Sequence, residues 1–155
     1  MEKVDDDVDA FLRDSARADD LIALDRLLRE ALPTADRVLW RGRMWGGTDQ
    51  AIIGYRSISQ PRPRGAEADW FLVGLAAQQN HLSIYVNAAE DGRYLVQSWG
   101  DRLGRVKIGA AAVTFRSAED LDLDELRDLV VRAGEVEDER SEIGTQRHAS
   151  TPPDS

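Results

Sequence analysis

At 155 residues, with a formal charge of -9 and 42% apolar content, the chain is long enough for one ordinary domain and short for two. It has no cysteine, which excludes disulfides, thiolate catalysis and cysteine-held zinc or iron-sulfur centres and leaves His, Asp and Glu as metal ligands. The acidity disfavours nucleic acid and anionic membranes as partners, because both need a positive surface. The acidic start, Met1-Glu2-Lys3-Val4-Asp5-Asp6-Asp7, and the lack of any apolar run of roughly 18 residues point to a cytoplasmic protein.

Residues 1–7 form an acidic extension, after which Val8, Phe11, Leu12 and Ser15 predict a short helix within residues 4–16. A second helix is expected from a cap at Asp19 or Asp20 to just before Pro33, with Leu21, Leu24, Leu28, Ala31 and Leu32 on its inner face. Asp25, Arg26, Arg29 and Glu30 are assigned to its solvated side. Arg37 to Trp45 alternates Val38, Trp40, Gly42 and Met44 against Arg37, Leu39, Arg41 and Arg43, the pattern of a strand with one face toward a core. Gly46-Gly47 turns the chain into a second strand, Ala51 to Ile58, pairing antiparallel, where Gly54 marks a bulge or a close backbone contact. Ser59 to Ala68, with Pro61 and Pro63, reads as a surface loop.

Asp69 to Asn87 reads as a β-hairpin on which the other elements are placed. Trp70 to Ala77 is apolar on both faces, as a central strand requires, while Leu82, Ile84 and Val86 alternate with His81, Ser83 and Tyr85 in a half-buried partner. Gln78, Gln79 and Asn80 make the reversal. A helix is expected over Ala88 to Trp99 and a last strand over Ala111 to Arg116. Asp122 as N-cap, Glu125 three residues on and a Leu121–Leu126 staple then open a closing helix that ends at Gly134. Residues 135–155 turn polar and read as a disordered tail.

Leu39-Trp40, Met44-Trp45-Gly46-Gly47-Thr48 with Ile52-Ile53-Gly54-Tyr55, and Pro61-Arg62-Pro63-Arg64-Gly65 resemble the YdhG-like bacterial family, a domain of unknown function with a frataxin-like fold. The resemblance continues in order through Trp70-Phe71-Leu72-Val73-Gly74-Leu75, His81 to Asn87, Leu103 to Gly109 and Leu121 to Leu126, covering roughly residues 8–134. It implies an α+β domain, a frataxin-like α/β sandwich with helices packed on one face of an antiparallel sheet. It says less about activity, since a fold can carry many functions or none that is catalytic. Some members are proposed to deliver iron.

Iron delivery calls for exposed carboxylates, and Asp5, Asp6, Asp7 and Asp9 are the candidate ligands; the alternative for them is a solvated, helix-capping end. No cofactor is required on this reading, and the partner would be an iron acceptor. A second reading takes Arg37, Arg41 and Arg43, with Arg62 and Arg64 nearby, as a basic strand face that docks an acidic protein, unless the chain's own acids neutralise it. A third takes Trp45, Tyr55 and Tyr85 as a small-molecule pocket, although in a domain with one sheet the aromatic set Trp40, Trp45, Tyr55, Trp70, Phe71, Tyr85 and Trp99 is normally the core. His81 lacks a second ligand beside it, Ser83 lacks an oxyanion loop, and Gly46-Gly47 lacks phosphate-loop spacing, so a non-enzymatic binding or carrier domain is the expectation.

Overall fold

A computed structural model describes residues 1–43, 49–61 and 67–149. The apolar run Trp70–Ala77 falls in β4 (Glu67–Ala77), the fourth of seven antiparallel strands, where both faces of a strand must be covered. On one side of it lie β3 (Asp49–Pro61), β2 (Arg37–Arg43) and β1 (Glu2–Val4); on the other lie β5 (Leu82–Val86), then β9 (Ala112–Phe115) and the edge strand β8 (Lys107–Ile108). A separate ribbon joins β6 (Ala89–Glu90) to β7 (Arg93–Tyr94).

The helices α1 (Val8–Asp14), α2 (Ala18–Ala31), α3 (Leu95–Trp99) and α4 (Leu123–Ala149) supply the cover on one face, giving an α+β architecture. Their inward residues, among them Leu12, Leu21, Leu24, Leu28, Val96, Leu126, Leu129 and Val130, join Leu39, Ile53, Leu72, Val73, Leu75, Ile84 and Val113 of the sheet in one core. Each fully buried leucine or isoleucine contributes about 1.5–3 kcal/mol of transfer free energy. Asp7 caps α1 by accepting from the Asp9 and Ala10 amides, and Asp122 caps α4 by accepting from the Glu125 amide at 3.1 Å.

Among the described residues the opposite face carries no helix. Trp40, Ile52, Phe71 and Ala76 are buried there among themselves, with Met1, Val38, Trp70 and Tyr85 around them. Trp70 stacks on Phe71 with centroids 4.4 Å apart, and Trp40 meets both edge-on. The indole fits because Gly54 leaves room: a Cβ there would lie 2.7 Å from Trp40 Nε1 and 2.8 Å from Phe71 Cβ. Strict alternation would not put Phe71 on this face with Ala76 and put Leu72, Val73 and Leu75 all on the helix side. The phase slips where Arg56, at φ 61°, interrupts the ladder between Tyr55–Val73 and Ser57–Phe71. Arg56 is held there by its amide to Asp36 O at 3.0 Å and by its guanidinium to Asp138 at 2.7 Å and to Gly134 O.

Several sequence expectations change. The first helix occupies Val8–Asp14 behind a strand at Glu2–Val4 that the acidic composition concealed. Arg17, not Asp19 or Asp20, occupies the N-cap of α2, without a side-chain bond. Asp25, expected in solvent, is only 4% exposed. The loop expected over 59–68 is shorter, since Ser59, Gln60 and Pro61 pair with Asp69, Ala68 and Glu67. Ser83 on the expected half-exposed side of β5 is buried. Ala88–Trp99 is not one helix: Asp91 at φ 56° and Gly92 at φ 79° form the two-residue Asp-Gly turn of the β6–β7 ribbon, and only Leu95–Trp99 is helical. Gly134 does not end the closing helix, which carries part of the expected tail on to Ala149 because Glu137 and Asp138 engage Arg140 and Arg56. The Gly46-Gly47 turn lies outside the described residues.

Replacing Gly54 with Ala should destabilise the fold by about 1–3 kcal/mol through overpacking against Trp40; urea denaturation checks this, and an unchanged midpoint would mean that the indole moves freely. Asp122→Ala should cost about 1 kcal/mol by loss of the α4 cap, measured in the same way.

Candidate functional site

The acidic N-terminal residues are drawn to separate places. Asp6 pairs with Arg41 at 3.1 Å, Asp7 is spent on the α1 cap, Asp9 pairs with Arg37 at 3.1 Å, and Asp5 is exposed. The hydrogen bond from Arg37, then its charge, holds the Asp9 carboxyl below its ordinary range. Among the described residues no group of three or more His, Asp or Glu side chains gathers as a metal site.

Arg37 and Arg41 stand on the helix-covered side of β2, not on an outer face, because Leu39 between them enters the main core. Arg37 bonds both oxygens of Asp25 at 3.2 Å as well as Asp9, Arg41 lies over the Phe11 ring at 5.6 Å, and Arg43 pairs across the strand with Asp49 at 3.4 Å. The expected docking arginines thus all face carboxylates of their own chain. Arg62 and Arg64 lie outside the described residues.

Tyr55 completes this knot by donating to Asp25 Oδ1 at 2.6 Å from a buried position. Burial, with the adjacent Asp25 charge, pushes its phenol well above the ordinary value. Tyr85 sits in the aromatic cluster on the other face of the sheet, so the structure does not bring Tyr55 and Tyr85 together, and Trp45 lies outside the described residues.

A different set of residues does converge. A cleft of about 930 Å³ is lined by His81 and Asn80 of the β4–β5 turn, Arg105 and Lys107, Thr114, Phe115 and Arg116 along β9, and Asp120. Register puts its Lys107–Thr114 row on the helix-free face: Lys107 pairs with Thr114, which pairs with Ser83, and this row lies opposite the row in which Ile108, Val113 and Ile84 face the helices. Gly104 fixes the cationic arm. Its φ of 112° and its approach to Asp120 O leave no room for a side chain, while Arg105 N donates to Asp120 O and Asp122 N to Leu103 O, each at 2.8 Å. The arm is thereby tied to the leader of α4.

Arg105, Lys107 and Arg116 are exposed, and none has an ion-pair partner among the described residues; Arg13, Arg26 and Arg93 also have none but do not line the cleft, whereas Lys3, Arg17, Arg37, Arg41, Arg43, Arg56, Arg102, Arg127, Arg132 and Arg140 all have one. The cleft's single carboxylate, Asp120, accepts from the Ser117 amide at 3.3 Å. Chemically the site is a set of charged donors at the sheet edge, bordered by Val106 and Phe115 where they enter the main core, and suited to hold an anion. The sequence did hold a signal for it. From Arg102 to Ala118 there are four cations and no Asp or Glu, in a chain with 29 acidic residues.

No family model, curated protein or solved structure matches the chain. No helix among the described residues is long and apolar enough to cross a membrane.

The Tyr55 phenol is protonated in the fold above the pH at which it ionises when unfolded, near 10. Its stabilisation is therefore complete below that pH and is lost as pH rises above it. Tyrosinate absorbance should show a late step, coincident with alkaline unfolding, that Tyr55→Phe removes; the variant should also lose about 1.5–3 kcal/mol with the hydrogen bond to a buried charge.

Proposed function

We propose that this chain is a non-catalytic binding module whose ligand is anionic, held in the cleft lined by His81, Arg105, Lys107 and Arg116. The observation that carries this reading is the concentration of unpaired cations in one concavity of a protein of net charge -9. Such cations cost the fold nothing to leave free in water, but their grouping raises the local potential for a carboxylate or phosphate. The reading keeps the acidic partner expected from the sequence and moves its site from β2 to the β8–β9 arm. Iron delivery through Asp5, Asp6, Asp7 and Asp9 draws less from the geometry, because Asp6, Asp7 and Asp9 are already engaged. Membership of the YdhG-like family stays part of the proposal; its blocks fall on β2–β3, β4–β5, the Leu103–Gly109 arm and the start of α4.

Titration with pyrophosphate, followed by backbone amide shifts, should give saturable changes at residues 104–107 and 114–116. Arg105→Glu with Lys107→Glu should weaken binding by roughly tenfold or more, as expected for charge-assisted bonds. Arg13→Glu with Arg26→Glu changes net charge equally at residues that do not line the cleft and should leave affinity within about twofold. Equal losses in the two variants would reduce the effect to general electrostatics and remove the site.

A further inference from the structure

We infer that the ligand of this cleft is a nucleoside monophosphate, its phosphate among Arg105, Lys107 and Arg116 and its base on the neighbouring polar patch of Tyr85, Gln78 and Gln50. The inference rests on the anion reading above and adds the identity of the group attached to the anion.

The sheet face beside the cleft continues past β9. Ala112 on its lining pairs directly with Tyr85, and Thr114 with Ser83, so the β5 row Ser83–Tyr85 is the next row on the same helix-free face. From Lys107 across Thr114 to Ser83 is two inter-strand steps, about 10 Å. A sugar phosphate spans that gap. Asn80 and His81 border both the cationic cleft and a second hollow lined by Gln50 and Gln78, so one ligand can occupy the two sides of the turn.

The patch is built from planar and phenolic groups with hydrogen bonds left to make. Ser83 Oγ donates to Gln78 Oε1 at 2.8 Å, and Gln78 Nε2 donates to Gln50 Oε1 at 3.1 Å and to the Tyr85 oxygen at 3.4 Å. That relay orients Gln78 and leaves the Gln50 amide hydrogens and the Tyr85 hydroxyl hydrogen without an acceptor among the described residues. A fixed carboxamide and a hydroxyl are the donors that read heteroaromatic base edges, and the half-buried Tyr85 ring offers a stacking surface backed edge-on by Phe71 at 6.4 Å. Ser83 is 2% exposed, so the relay is anchored from below.

Charge selects a mononucleotide over a polymer. A strand running past the cleft would lay further phosphates along a protein of net charge -9, whereas one phosphomonoester stays within the cleft, where Arg105, Lys107 and Arg116 outweigh Asp120.

Calorimetric titration of the full chain with inorganic phosphate, with adenosine, guanosine, cytidine and uridine monophosphates, and with an aspartate-rich peptide tests the assignment. At least one mononucleotide should bind tenfold or more tightly than phosphate. Tyr85→Phe, which keeps the ring, and Gln50→Ala should each reduce that advantage at least threefold without changing phosphate affinity; Arg105→Glu with Lys107→Glu should abolish both. If phosphate binds and no mononucleotide binds better, the base assignment fails and the anion site stands. Tighter binding of the acidic peptide than of every mononucleotide would also overturn it, in favour of a protein partner. No binding of any of the anions removes both readings.

Discussion

The slip in side-chain phase between β3 and β4 is the constraint on which both faces of this protein depend. A β-strand sends successive side chains to opposite sides, so a strand that must fill a helix-covered core and an aromatic cluster at once either alternates strictly or breaks step. Here it breaks step at Arg56 and Leu72. Above the break, Val73 and Leu75 face the helices; below it, Phe71 turns to the bare face and folds over Gly74 and Gly54. The left-handed backbone at Arg56 is a cost of order 1–3 kcal/mol for a residue with a Cβ. The bonds of Arg56 to Asp36, Gly134 and Asp138 hold it in place, so strand geometry and the position of α4 are set by one side chain.

The knot of Asp25, Arg37 and Tyr55 does a related job for the N-terminal helices. A carboxylate taken out of water is strongly unfavourable unless paired and hydrogen-bonded, and Asp25 receives both. Such a knot discriminates between packings more than it adds net stability. It fixes the register of α2 against β2 and β3, because a shift of one residue would leave the charge unpaired in the core.

Apolar periodicity carried most of the architecture. The central β4, the first hairpin, the inner face of α2 and the cap of α4 were all legible, since each depends on local pattern. What escaped was charge placed by tertiary contact. Asp25 sits three residues from Ile22 and beside Arg26 on a stretch that reads as solvated, and only the approach of Arg37 and Tyr55 makes its burial favourable. The same effect hid the quenching of Arg37, Arg41 and Arg43, whose carboxylate partners come from residues 6 to 49. Asp91-Gly92 was a direct turn signal overridden by a helical spacing of Tyr94, Leu95 and Trp99 that only the last turn obeys. The cationic arm was legible as an acid-free stretch, but not its pairing beside His81, which needs β9 to lie against β5.

An acidic protein that presents one basic concavity differs physically from a basic protein with the same concavity. At physiological ionic strength the field of a surface charge fades over about 8 Å, so the arginines and lysine of the cleft act on a ligand already near them while the surrounding carboxylates act on anything larger. A compact dianion feels mostly the cleft; an extended polyanion feels the whole surface and is repelled by it. Selectivity for size then comes from the acids outside the site as much as from the cations within it. On the proposed anion-binding reading, the 29 acidic residues act in recognition without contact. The paired arginines matter for the same reason: each one quenched by a neighbouring Asp is weakened as a competing anion site, while Arg105, Lys107 and Arg116 stay unpaired together beside one cleft.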